Sequence, residues 1–320
     1  MERAEALAVV ESFLLGDPPS LNREEVAAAA GVPLEVAMEL WHHLGFPHVE
    51  AGQVAFTPAD VEALQRTSAL MQLGILSPDR QAALVRTWGR SFARLAEWET
   101  SLLANVTREA GSDDVDALLA TAAEVLPHVQ ELQTYAWRRH LASAASRVLT
   151  VAGASAVPMA VGFVDIVGYT ARSRTLTDAE LVELVEEFED ACADLVVEHG
   201  GRVIKNLGDA VLFTCDSAAD AALVGLAVAA RSDEPGHDFP EVRAGIAYGD
   251  VVLRLGDVFG PTVNIAARLT SVARPGTVVV DEGAADALRE VPGFELQRLR
   301  RTSVKGYSRL QPYRVQVVSG

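Results

Sequence analysis

Cysteine is scarce in this chain. Only Cys192 and Cys215 occur in 320 residues, and neither belongs to a CxxC pair or to a cluster with metal-ligand spacing. That excludes a disulfide scaffold and a zinc-ribbon type of site, and it points to a reduced, cytoplasmic compartment. Positive charge is also in deficit. Lys and Arg number 27 against 44 Asp and Glu, a formal net charge of −17. So acidic a chain is poorly suited to gripping nucleic-acid phosphates or anionic lipid over a broad surface, although a locally basic pocket can still hold one small anion. Long apolar runs are missing as well. The longest uncharged stretch, 148–164, contains Gly153, Ser155 and Pro158 and ends at Asp165. It is too short and too polar for a membrane span, which needs about 20 apolar residues. The N-terminus carries Glu2, Glu5 and Glu11 where a secretory leader needs a basic end and an apolar run. No membrane association is expected.

What is present is enough apolar material, 49% of residues, for a substantial core. At about 100–200 residues per domain, two domains are the natural division. Residues 1–147 read as helical, with alanine and leucine at helical spacing and few β-branched runs. Asn22 followed three residues later by Glu25 marks a helix start. A helix over Leu132–Val148 leads into a linker at 148–157. From Met159 the texture changes. MAVGFVDIV reads as a strand, and Asp178–Glu198 as an amphipathic helix with Leu181, Leu184, Phe188, Cys192 and Leu195 on one stripe. RVIKNLGDAVLFTC reads as a hairpin turning at residues 206–209. A helix (218–230), a strand (242–247), a helix after Gly260-Pro261, a strand (277–280) and two closing strands follow. Strand–helix–hairpin–helix–strand is the order of a ferredoxin-like α+β domain, expected over 158–320 behind an all-α domain over 1–147.

The polar residues in this second half form constellations. Asp165 ends a hydrophobic strand and Asp209 sits in the hairpin turn. If the two strands lie side by side, the carboxylates meet, and two close carboxylates are costly unless a cation neutralises them. Oxygen ligands without His or Cys suit Mg²⁺ or Mn²⁺. Taken singly, each is an ordinary strand-end or turn aspartate. Asn264 and Arg268, four apart on a helix, share one face and suit a pocket for a ribose and a phosphoryl group; alone they read equally as an exposed polar stripe. Lys205 stands in an apolar strand and Asp257 in a loop. If they meet, a donor beside an acceptor matches the adenine edge, where N1 accepts and the N6 amine donates. Lys305 lies in a Gly-containing segment from which it could reach a terminal phosphate.

Together the segments FVDIVGYT, RVIKNLGDAVLF, GDVFGPTVNIAARL and SVKG resemble the signature blocks of class III nucleotidyl cyclases, in order, over about residues 157–318. The resemblance implies that Asp165 and Asp209 bind two metal ions, Mg²⁺ or Mn²⁺. It implies that Lys205 and Asp257 select adenine, that Asn264 positions the ribose, that Arg268 stabilises the α-phosphate and that Lys305 holds the distal phosphates. It further implies an adenylyl cyclase that converts ATP to cyclic AMP and pyrophosphate at sites shared across a head-to-tail homodimer. The rival is a catalytically weak regulator that senses nucleotide, and the intact set of seven residues weighs against it.

The first half carries a weaker pattern. Residues 21–68 read as helix–turn–helix plus a short strand pair and helix, similar to the winged-helix unit of MerR-type regulators. Arg23 and Arg66 are the only basic residues in that segment besides histidine, which disfavours nucleic-acid binding. Five of the seven histidines (His42, His43, His48, His128 and His140) fall in this half. The expected role of the half is regulation of the cyclase domain, with a histidine as one candidate input.

Overall fold

The computed structural model describes residues 3–74, 78–109, 115–150, 156–232, 234, 239–254, 256–304 and 307–318. The chain forms two compact units, residues 1–147 and 148–320. In chain order, the first unit contains α1 (Arg3–Leu15), α2 (Arg23–Ala30), α3 (Leu34–Leu44), α4 (Pro58–Gln72), α5 (Pro78–Glu109) and α6 (Val115–Thr150), which runs just past the division. The second contains β1 (Val157–Ile166), α7 (Tyr169–Arg172), α8 (Asp178–Glu198), β2 (Arg202–Asn206), β3 (Ala210–Cys215), α9 (Ala218–Arg231), β4 (Val242–Arg254), β5 (Asp257–Phe259), α10 (Pro261–Val272), β6 (Val278–Val280), α11 (Glu282–Arg289), β7 (Phe294–Arg298), β8 (Thr302–Val304), β9 (Tyr307–Leu310) and β10 (Tyr313–Val317). The fold is α+β, with an all-α N-terminal region.

In the first unit, Asn22 and Glu25 cap α2 reciprocally. Asn22 Oδ1 accepts from the Glu25 amide at 2.9 Å, and the Glu25 carboxylate accepts from the Asn22 amide at 2.9 Å. Gly31, at φ 70°, adopts the left-handed conformation that ends the helix. The expected strand pair after α3 is reduced to one antiparallel bridge, Leu21 with Phe56. Trp41 stacks on Phe56 with ring centroids 4.6 Å apart, and Val26, Ala37, Leu40 and Leu64 complete a small core. α5 crosses α3 closely because Gly89 has no side chain; a Cβ there would collide with the Leu44 backbone.

The second unit is built on a sheet in the order β2-β3-β1-β4-β6-β10-β7, with β5 paired to β4. The β2-β3-β1-β4 part is antiparallel and ferredoxin-like, while β4 and β6 run parallel. β4 extends to Arg254, beyond the alternation that the sequence displays, because its far end pairs with β5. Four strands close the chain rather than two, and β8 and β9 form a separate hairpin. One face of the sheet is covered by α8 and α9. Leu184, Phe188, Cys192 and Val196 of α8 are buried there, while Leu181 and Leu195 stay half-buried. Each fully buried aliphatic or aromatic side chain contributes about 1.5–3 kcal/mol. The Phe213 ring lies over its cross-strand partner Gly162, where a Cβ would strike it. Burial pushes the thiols of Cys192 and Cys215 up to about 12, aided by Glu189 in the first case and by Asp220 and Asp216 in the second, so both stay neutral.

The other face receives α10, and glycine sets the distance. Gly245 of β4 packs against the α10 backbone so closely that a Cβ would collide with the Thr270 amide nitrogen. Thr262 Oγ1 donates to the Asp250 carbonyl at 2.8 Å at the other end of the helix. α10 is thereby held to β4 at both ends. Gly245→Ala should therefore lower stability by about 1–3 kcal/mol, as overpacking does. Any reaction that depends on residues of α10 should slow further, by up to about 100-fold, because α10 would shift as a body. Urea melts beside specific activity measured well below the midpoint check this; a loss of activity no larger than the unfolded fraction would contradict it.

Candidate active site

Asp165 is the penultimate residue of β1, opposite Ala210 of β3 on one side and Arg243 of β4 on the other. Asp209 immediately precedes Ala210, and its carbonyl accepts from the Ile166 amide at 2.9 Å. The hairpin β2–β3 thus brings Asp209 to the end of β1, and the two aspartates share one corner. Burial raises the Asp165 carboxyl above its ordinary range, against the hydrogen bond and charge of Arg243, and the charge of Asp209 adds to the rise. Arg243 partly offsets this cost. Its Nε and Nη2 donate to Asp165 Oδ2 at 2.7 and 2.6 Å, and its Nη1 donates to the Ser271 carbonyl at the end of α10 at 3.4 Å.

Among the described residues no three His, Cys, Asp or Glu side chains gather into a metal cage. Two carboxylates alone fit a hard divalent cation that takes its remaining ligands from water and substrate phosphates, as Mg²⁺ usually does. The raised carboxyl of Asp165 beside Asp209 is the electrostatic condition that such a cation relieves.

Lys205 and Asp257 meet. Lys205 Nζ donates to Asp257 Oδ2 at 2.5 Å, and Asp257 Oδ1 accepts from the Val258 amide at 2.8 Å. A register shift in β2 between Val203 and Lys205 re-aims the lysine, and β5, folded back on β4, carries the aspartate. Burial pushes the Asp257 carboxyl up, but the Lys205 hydrogen bond, the Val258 amide and the Lys205 charge outweigh it and hold the group below the usual carboxylate range.

Asn264 and Arg268 lie one turn apart on α10, Asn264 exposed and Arg268 half-buried. Their side chains make no hydrogen bond or ion pair among the described residues, so both remain available to a group from outside. Lys305 falls outside the described residues, between β8 and β9. Lys205 and Lys305 are the only two lysines in the chain, which strengthens their claim on a role. The sequence reading missed Arg243. Its signal was a lone arginine among the apolar residues of β4, between Val242 and Ala244.

A cavity of about 520 Å³ lies in the N-terminal unit, lined by Trp41, Phe46, Phe56, His42, His48 and Arg23 among others. No helix among the described residues is long and apolar enough to cross a membrane.

Residues 153–317 match the family described as Adenylate and Guanylate cyclase catalytic domain. An adenylate cyclase of Glutamicibacter nicotianae is 34% identical over 337 residues, covering 99% of this chain and 83% of that protein. One from Streptomyces coelicolor is 40% identical over 297 residues, covering 89% and 77%. A pH-sensitive adenylate cyclase of Mycobacterium tuberculosis is 29% identical over 305 residues, covering 90% and 76%. Among solved structures, the adenylyl cyclase CyaB from P. aeruginosa is 23% identical with a TM-score of 0.45, covering 51% of this chain and 96% of that one. A chain with this sheet and these relatives belongs to the adenylate and guanylate cyclase catalytic-domain family. Within that family it is an enzyme of class III, an adenylyl cyclase that forms a cyclic nucleotide. Class III catalytic domains are generally metal-dependent.

Proposed function

We propose that this enzyme converts ATP to 3′,5′-cyclic AMP and pyrophosphate by in-line attack of the ribose 3′-hydroxyl on the α-phosphorus, at sites shared between two copies of the chain. The observation that carries the choice of ATP is the Lys205–Asp257 contact at 2.5 Å, which presents a donor beside an acceptor. Lys205 donates to adenine N1, and Asp257 accepts from the N6 amine. Guanine offers the reverse pattern, an N1–H donor beside an O6 acceptor, and would leave both groups mispaired.

Asp165 and Asp209 are assigned to two divalent cations, Mg²⁺ or Mn²⁺. Bound there, the cations supply Lewis-acid activation of the 3′-hydroxyl and neutralise the triphosphate. Asn264 holds the ribose in line. Arg268 offsets the charge that builds on the α-phosphoryl oxygens as the transition state forms. Lys305 grips the distal phosphates and stabilises the leaving pyrophosphate.

Sharing of the site is supported by the exposure of Asn264 in one chain and by the flank of the site. Leu207, Val252, Leu253 and Phe259 are exposed apolar residues around the β2–β3 turn and the β4–β5 arm, a surface that a second copy would cover. The expected domain boundaries, with regulation by residues 1–147 acting through the segment 132–157, form part of the same proposal. The pH-sensitive relative makes proton input at His128 or His140 its first form to test. A cytoplasmic location accords with two cysteines that are both free of disulfides.

Three outcomes are expected. Asp165→Ala and Arg268→Ala chains should each lose at least about 100-fold in rate, since each removes a group acting on the transition state. Mixed under conditions that exchange subunits, they should regain activity, because one heterodimer site carries both lesions and the other neither. No recovery in a cyclic AMP assay would defeat the shared site. Replacing the base-reading pair, Lys205→Glu with Asp257→Cys, should weaken ATP use by about 1–3 kcal/mol, the cost of a polar group left mispaired once the nucleotide covers it. Unchanged ATP kcat/KM would place base selection elsewhere. Finally, the full chain and a folded chain starting at Ala152 should differ in specific activity and in pH profile over about pH 5.5–8, where histidine changes charge. Identical profiles would remove the regulatory role, and a difference in level alone would remove the histidine input.

A further inference from the structure

The long helices of the first unit expose what a monomer normally hides. Three of the chain's four tryptophans, Trp88, Trp98 and Trp137, lie on α5 and α6 and are 43–60% exposed. Beyond Gly89, none of the described α5 residues is buried, and Ala122 is the only buried one in α6. The two helices touch through Gln133 Nε2, which donates to Glu99 Oε1 at 2.6 Å, yet Phe92, Leu102, Val106, Leu132, Tyr135 and Leu141 remain exposed. Large apolar side chains concentrated on two neighbouring helices mark an interaction surface.

The pattern along α5 identifies the occupant. Trp88, Phe92, Leu95, Glu99, Leu102 and Val106 follow a 4-3-4-3-4 spacing, the seam of a two-stranded coil. That seam is symmetric about residue 97. Trp88 and Val106 are equidistant from it, as are Phe92 and Leu102, and Leu95 and Glu99. A second α5 laid antiparallel about a twofold axis there sets Phe92 against Leu102 and Trp88 against Val106, a self-complementary contact of the isologous kind. Charge selects the same direction. Before residue 97, α5 carries Arg80, Arg86, Arg90 and Arg94 against Asp79, and from 97 onward it carries Glu97, Glu99 and Glu109 against Arg108. A parallel copy would align four arginines with four arginines, whereas an antiparallel copy moves them apart. The one polar residue in the seam, Glu99, already has a donor in Gln133.

Area decides how much of the surface takes part. From Trp88 to Val106 the seam is about 27 Å long and about 12 Å wide, so α5 alone covers roughly 300 Å² per copy. A standard interface needs about 800 Å² per partner. The exposed face of α6 must therefore join, which makes the assembly a four-helix contact.

We propose that α5 and α6 pack against the same helices of a second copy of this chain, with the two α5 helices antiparallel and Phe92 facing Leu102 of its twin. This contact is independent of the nucleotide site and does not rest on the proposed chemistry.

Disulfide trapping in the full chain tests it. Cys192 and Cys215 are buried and neutral and do not compete. The Phe92→Cys, Leu102→Cys double variant should form a covalent dimer on mild oxidation without ATP or metal, seen on a non-reducing gel. Either single variant should not, because the twofold separates equal positions by about 15 Å, far beyond disulfide reach. Trp88→Cys with Val106→Cys should trap the same dimer and serves if the first pair fails to fold by circular dichroism. No trapping by a folded double variant, trapping by a single variant, or covalent products larger than a dimer would each overturn the proposal. The same trapping in an Asp165→Ala background separates the outcomes: a failed cyclase reading leaves the cross-link intact, and a failed contact leaves complementation unaffected.

Discussion

The contact between α10 and β4 is the constraint on which the catalytic unit depends. A helix normally packs on a sheet through two layers of side chains. Here the backbone of α10 rests on Gly245, with Thr262 tied to Asp250 at one end and Thr270 reaching the Phe163 carbonyl at 3.5 Å near the other. β4 pairs directly with β1, so the helix bearing Asn264 and Arg268 is fixed relative to the strand bearing Asp165. Each copy is thereby a rigid carrier of two half-sites, the form a shared site requires if its donors are not to reorganise during the reaction and forfeit most of their effect.

Electrostatically the site runs against the chain. The protein is strongly acidic, yet two of the three carboxylates set into this surface meet a cation: Asp165 meets Arg243, and Asp257 meets Lys205. The two pairs behave differently. Desolvation dominates at Asp165 and raises it, whereas at Asp257 the lysine and a backbone amide prevail and lower it. One carboxylate is therefore unsettled and open to a further positive charge, and the other is already satisfied and oriented. That division suits a metal corner beside a base-reading pair.

Much of this was legible in the sequence because the chemistry sits in short, contiguous blocks whose spacing survives folding. Asn264 and Arg268 share a face by helical period alone, and the Asp209 turn is written in Asn206-Leu207-Gly208. The meeting of Lys205 with Asp257 was not legible, since it depends on a register shift in β2 and on β5 folding back along β4. Arg243 was passed over because a charged residue in an apolar strand has no periodic signature; only the pairing of β4 with β1 shows what it faces. The wing of the N-terminal unit shrank to a single bridge between Leu21 and Phe56, a contact held by stacked rings more than by strand propensity. The four closing strands were undercounted because β8 and β9 are three and four residues long, below the length at which alternation can be read.

The scarcity of lysine has a consequence of its own. Of 27 basic residues, all but Lys205 and Lys305 are arginine. Side-chain amines are the groups that acyl donors, aldehydes and ubiquitin-type conjugation address, and arginine is inert to them. On most proteins such chemistry scatters over a surface where it changes little. Here it has two side-chain targets, one already bonded to Asp257 and both at positions assigned to the nucleotide. On the proposed assignment, every lysine side-chain modification of this chain falls at the substrate site, and ATP and the modifying group would compete for the same atoms.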